Sequence, residues 1–243
     1  MKKLLALTLF IVVFASYATS DSPPVPDAEF TFARVQFNMG FRSMSDFPRE
    51  APWHHDYPYS ENLILTMLKE VTGIHTSPNA YKIVQLTSPD IFQYPFLYVS
   101  EPGYMDLTDK ETVNLRDYLN RGGFVMFDDF RTAHGNRDMA NLRLQMKKVF
   151  PDREFIRLDA RHPVFHTFYE LNTLDMPAPY YEDVMVPEFW GMNDDSGVLQ
   201  IVANHNNDFG EFWEWVDKGE MSFQPAAQSV KFGINYLIYA MTH

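Results

Sequence analysis

The sequence predicts an α/β domain built on a mainly parallel central sheet with helices on both faces, and three observations predict it. Tyr94-Pro-Phe-Leu-Tyr-Val-Ser100 is a short apolar run, as expected of a parallel strand covered on both faces. Thr108 and Glu111 stand at the spacing of a capping box, in which each side chain satisfies the other residue's orphan backbone N–H, so a helix should start at Asp109. It should close at Gly122, which can turn left-handed, with Arg121 in the last turn against the negative helix end. Phe124 to Phe127 then resumes as a strand ending on adjacent carboxylates, Asp128 and Asp129. Strand, helix, strand in this order is one right-handed βαβ unit.

The remaining elements follow in order. Met1-Lys-Lys3, the apolar stretch Leu4 to Phe14 and Ser16-Tyr17-Ala18 form a basic start, a short hydrophobic core and a small-residue cleavage site, so residues 1–18 are expected to be a signal peptide; an uncleaved anchor is the alternative. Residues 19–28, with Asp21-Ser-Pro-Pro-Val-Pro26, form a proline-rich linker, and residues 29–243 a single domain. Phe30 to Phe37 is the first strand. A long loop, Asn38 to Pro58, carries Trp53, His54, His55, Asp56 and Tyr57. Ser60 is placed as the N-cap of a helix with Leu63, Ile64, Met67, Leu68 and Val71 on its apolar face, stopped by Gly73. Tyr81 to Leu86 is a strand, and Ser88-Pro89-Asp90 turns into the βαβ unit. Beyond it, Asn136 can cap a helix with Met139, Leu142, Met146 and Val149 on one face, followed by a strand over Phe155 to Leu158. After His162-Pro163 the alternation fails. Asn193-Asp-Asp-Ser-Gly197 separates Val186–Trp190 from Val198–Ala203, which predicts an antiparallel hairpin as an excursion from the sheet. The last helix carries Val230, Ile234, Leu237, Ile238 and Met241.

Composition excludes several functions. Without Lys2 and Lys3, 18 basic residues face 32 acidic ones, a formal charge of −14, so nucleic acid and anionic lipid would be repelled. Cysteine is absent, which removes disulfides, thiolate metal sites and thiol catalysis. After signal removal no stretch is long enough to insert in a membrane.

Phe32-Ala-Arg-Val-Gln-Phe37, the Trp53 to Asp56 cluster, Leu115-Arg-Asp-Tyr-Leu-Asn-Arg-Gly-Gly-Phe124, His162-Pro163, Asp208-Phe-Gly-Glu-Phe-Trp213 and Gly233-Ile-Asn-Tyr236 together resemble the bacterial family called domain of unknown function 4159. The resemblance implies a three-layer, flavodoxin-like sheet similar to class I glutamine amidotransferases, and with the signal peptide a periplasmic location. It implies no activity. The amidotransferase cysteine is missing, the corresponding turn being Ser100-Glu101-Pro102-Gly103, and Ser100 lacks the Gly-x-Ser-x-Gly elbow that exposes a serine nucleophile.

Open α/β sheets bind ligands beyond the carboxyl ends of their strands, which here carry Asn38, Glu101 and Asp128-Asp129. The expected ligand site is therefore Trp53, His54, His55, Asp56, Glu101, Asp128, Asp129 and His134, with one of the two adjacent aspartates facing the ligand and the other serving structure. Histidines and carboxylates recur, also as His162 and as His205 with Asp208, and could hold a divalent metal. No His-Glu-x-x-His spacing assigns one, so no metal ligand or cofactor is named. Trp53, Tyr57, Trp190, Trp213 and Trp215 suit either core or a sugar-stacking groove. The reading this favours is an exported, non-catalytic binding or accessory protein for a small polar ligand, a glycan or a partner protein. The alternative is a carboxylate/histidine hydrolase, with or without metal. A tight cluster of histidine and carboxylates would favour the hydrolase and a broad aromatic groove the binder.

Overall fold

The computed structural model describes residues 28–39, 51–132, 137–179 and 185–243. The expected signal peptide, most of the linker, His134 and the cap at Asn136 lie outside the described residues. Seven strands form one sheet: β1 (Phe32–Gln36), β2 (Tyr81–Gln85), β3 (Phe96–Ser100), β4 (Phe124–Phe130), β5 (Ile156–Arg157), β6 (Glu188–Asn193) and β7 (Leu199–His205). Their order across the sheet is β2-β1-β3-β4-β7-β6-β5. The five strands from β2 to β7 run parallel, while β6 and β5 are antiparallel additions at one edge.

Alternation along the inner strands explains why they read as continuous apolar runs. Phe32, Phe96, Tyr98, Phe124 and Met126 enter one buried cluster with α1 (Tyr59–Val71), α4 (Phe209–Trp215) and α5 (Phe223–Thr242). Ala33, Leu97, Val99, Val125 and Phe127 enter a second with α2 (Asp109–Asn120) and α3 (Arg137–Val149). Each strand thus buries both faces. The capping box opens α2 as expected: Glu111 N–H donates to Thr108 Oγ1 and Thr108 N–H to Glu111 Oε2 at 2.9 Å. Gly122 closes that helix at φ +90°.

Two expectations need correction. The hairpin is not an excursion, because β7 is buried along its whole length and lies inside the sheet, parallel to β4 on one side and antiparallel to β6 on the other. The chain reaches that slot from the far edge, an order that alternation in sequence does not reveal. Ser60 is not the N-cap either. Pro58 holds that position, and Ser60 lies in the first turn with its hydroxyl turned inward to a buried ion pair. No helix among the described residues is long and apolar enough to cross a membrane.

Candidate functional site

A charged residue in the middle of an apolar strand positions the site. Arg34, on β1, is fully buried and pairs with Glu61 of α1. Its guanidinium also donates to the carbonyls of Trp53 at 3.1 Å and His55 at 2.8 Å, and to Ser60 Oγ at 3.1 Å. The planar fork therefore ties the end of the long loop to the sheet beneath it. Tyr98 lies under it, 4.6 Å from guanidinium carbon to ring centre.

Four residues around this point have left-handed backbones: Asp56 (φ 63°), Glu101 (φ 51°), Asp129 (φ 55°) and Asn206 (φ 58°) are the non-glycine residues at positive φ among the described residues. Glu101, Asp129 and Asn206 follow or end β3, β4 and β7, and Asp56 ends the loop after β1. Such backbones cost energy outside glycine, and they concentrate where side-chain placement has been selected over stability. At Asp129 the pairing of β4 with β7 also shifts register between Phe127 and Phe130, an irregularity that re-aims the side chain.

The result is a cluster of one imidazole and three carboxylates. Donor atoms of His55, Asp56, Asp129 and Asp208 all lie within 4.8 Å of one another. Asp129 Oδ2 stands 2.7 Å from His55 Nδ1, while its Oδ1 accepts from Arg131 at 3.0 Å. That bond leaves His55 Nε2 facing Asp56 Oδ1, 3.9 Å away. Asp208 caps α4, accepting from Glu211 N–H at 2.8 Å, and shares a hydrogen bond with Asp129. Both oxygens of Asp56 are buried without a hydrogen-bond partner among the described residues.

The electrostatics follow from this crowding. Burial, then the negative charge of Asp129, drives the Asp56 carboxyl well above its ordinary range against the pull of His55. Asp208 rises likewise through burial and the charges of Asp129, Asp56 and Asp128. Asp129 is the opposite case, because bonds from His55 and the charge of Arg131 overcome its burial and hold it below the usual carboxylate range. For His55, burial disfavours the charged ring, but the Asp129 bond and the surrounding carboxylates win and push it up to about 10. Divalent cations take such N/O donor sets, and a histidine whose other nitrogen meets a carboxylate is the usual orientation of a ligating imidazole.

The expected site residues divide three ways. His55, Asp56 and Asp129 meet in the cluster, and Glu101 lies within its electrostatic reach. Asp128 is buried beneath it as a structural hub: its carboxylate accepts from Tyr98 OH at 3.1 Å, Asn204 Nδ2 at 3.1 Å and the N–H groups of Phe209 and Gly210 at 2.8 and 3.1 Å. Burial raises it to about 6, with the Asn204 bond opposing. Trp53 is 4 % exposed and packs in the second core cluster, and His54 packs between Trp53 and Tyr57. The other aromatics are dispersed as well, Trp213 in the first core cluster, Trp190 over Arg143 and Arg157, and Trp215 over Lys218. His162 caps a short turn and His205 pairs with Glu188. Arg34 and Arg131 were missing from the expected residues, and Asp208 was named only as a candidate metal ligand beside His205, not as part of the site. Arg34 was legible as a lone charge inside an apolar strand, and Asp208 as an N-cap three residues before Glu211.

Glu101 gives a testable pH dependence. It is 5 % exposed, and burial followed by the charge of Asp129 lifts it from 4.5 to about 9. Between those values the folded state keeps a proton that the unfolded state has released, so stability falls as pH rises. His55 adds the same sign only above 6.5. In chelator, the melting temperature should therefore fall from pH 5 to pH 8, and Glu101→Gln should flatten the fall. Parallel profiles for the two proteins would contradict this.

The family model of a domain of unknown function (DUF4159) matches residues 31–241, and the chain belongs to that family. A comparison with curated proteins finds no match.

Proposed function

We propose that this member of the DUF4159 family is an exported hydrolase whose reacting centre is a divalent cation held by His55, Asp56, Asp129 and Asp208. The observation that carries the reading is Asp56. A buried carboxylate with neither oxygen hydrogen-bonded is costly unless a proton or a cation compensates it, and here the cluster around it offers the donor set of a cation site. A cation would supply Lewis acidity to a substrate oxygen and lower the pKa of a water. The chain's own groups supply the rest. Asp129 orients the His55 ring, Arg131 stands at the partly exposed edge, and Glu101 retains a proton that can pass to a leaving group.

Other parts of the proposal have separate supports. The basic, apolar and small-residue start supports export to the periplasm, and the parallel order β2-β1-β3-β4-β7 with helices in two core clusters supports a flavodoxin-like, amidotransferase-like arrangement. A glycan-binding module would draw support from aromatic faces sharing a groove, and the tryptophans here are dispersed.

Calorimetric titration of chelator-treated protein with Mn²⁺ tests the centre. Binding should release protons, because Asp129 and Asp208 share one that a cation would displace, so the apparent heat should depend on buffer ionisation enthalpy. Asp129→Asn, which removes both a ligand oxygen and the carboxylate that orients His55, should weaken binding by about 100-fold or more, beyond the loss of an outer-shell partner alone. Turnover of ester, phosphoester or amide probes should require the cation. Failure to bind Mn²⁺ at millimolar concentration would remove the proposal, and binding without turnover of any probe would return the protein to the ligand-binding class.

A further inference from the structure

We infer that Asp56 bridges two cations, and that Glu211 and Glu214 complete a second divalent-cation site beside the first. This rests on the reading of the first centre given above, and extends it from one ion to two.

Asp56 belongs to two clusters. One contains His55, Asp129 and Asp208; the other contains Glu211 and Glu214, again with donor atoms within 4.8 Å of one another. Its two oxygens have different nearest neighbours. Oδ1 is the one directed at His55 Nε2, 3.9 Å away. Oδ2 lies against Gly210, so closely that a methyl group there would collide with it. Gly210 belongs to the first turn of α4, and Glu211 and Glu214 follow three apart, on one face of that helix.

A single cation on the His55 side, bound through Oδ1 alone, would leave Oδ2 buried and orphaned. An ionised carboxylate can accept at both oxygens, and leaving one buried without a partner carries the full desolvation cost. Both Asp56 oxygens are unpartnered among the described residues, and the residue is 5 % exposed. Donors about 2.1 Å from an ion stand roughly 3–4 Å apart, so the 4.8 Å span needs only small adjustments.

The two sites differ in chemistry. The first has an imidazole, whereas the second has carboxylates alone, a hard oxygen set suited to Mn²⁺, Mg²⁺ or Ca²⁺. Without an ion, burial and the charges of Glu214 and Asp129 raise the Glu211 carboxyl, partly offset by His55. Lys218 meets Glu214 Oε1 at 3.4 Å, and Glu214 lines a surface groove of about 370 Å³ with Tyr59, Asn62, Thr66, Asp217 and Lys218. Of the three side chains, Glu214 is therefore the one that reaches this groove. A pair of cations sharing a carboxylate would hold both the attacking and the leaving oxygen of a hydrolysed bond.

Manganese is the probe. Equilibrium dialysis of the signal-free chain against Mn²⁺ should give two ions per chain, with an electron paramagnetic resonance spectrum showing spin coupling between neighbouring ions. Glu211→Gln/Glu214→Gln should bind one ion and give an uncoupled six-line signal. Glu214→Lys, which places an ammonium group where the second ion would sit, should do the same, and it guards against misfolding of the double variant. One ion in the parent chain, or two in both variants, would overturn the second site while leaving the first centre standing. No bound ion in the parent chain would overturn both.

Discussion

Replacing Arg34 with methionine should destabilise the protein by about 3–5 kcal/mol, the usual consequence of removing one partner from a buried ion pair. Glu61 would be left at zero exposure without its guanidinium, keeping Ser60 Oγ at 2.9 Å. Small domains are stable by only about 5–15 kcal/mol, so this is a large share. The carbonyls of Trp53 and His55 would lose their donor at the same time, which should loosen the segment that presents His55 and Asp56. Arg34→Met/Glu61→Leu should recover much of the loss, because a buried pair can often be replaced by apolar residues of similar volume. Urea unfolding of both variants decides it. A single substitution costing under about 1 kcal/mol, or a double costing as much as the single, would show that the pair does not hold the loop.

The second large effect is expected at Asp56. Asp56→Asn should weaken Mn²⁺ binding by about 100-fold or more, beyond the 10–100-fold typical of an outer-shell partner. In chelator it should act in the other direction and raise stability by roughly 1–2 kcal/mol, since it removes a carboxylate that burial and the charge of Asp129 disfavour. For a chain of this size that is a rise in melting temperature of about 2–4 °C per kcal/mol. The gain should grow with pH. Burial holds the Asp56 carboxyl well above its ordinary range, so at low pH the parent residue is already neutral and the substitution changes little. An asparagine variant that binds Mn²⁺ normally, or melts lower than the parent in chelator at pH 8, would contradict the role given to this residue.

Local signals carried most of the fold. The capping box at Thr108 and Glu111, Gly122 at the end of α2 and the apolar stripe of α3 are each decided within a few residues, and each stands where the sequence places it. What the sequence hid was long-range. Nothing near Leu199 says that β7 fills the slot beside β4, because its seven buried residues would look the same at any inner position. The site was partly legible for the same reason. His55, Asp56, Glu101 and Asp129 could be expected together because parallel strands end on one side of a sheet. Asp208 joins them only through the placement of β7. Trp53 went the other way: it was expected at the ligand site, yet its indole packs in the core while its carbonyl anchors Arg34.

The position of β7 also sets an order of events during synthesis. β1, β3 and β4 emerge long before the strand that completes their sheet, so a nascent chain shorter than about 205 residues presents β4 as a bare edge, open to pairing with a neighbouring chain. Until then Asp128 lacks Asn204 and the first amides of α4. Asp208 follows three residues after β7, making it the last of the four clustered donors to leave the ribosome. A stop codon within or before β7 would therefore leave β4 as an open edge, whereas one between β7 and Asp208 would complete that pairing yet remove the fourth clustered side chain.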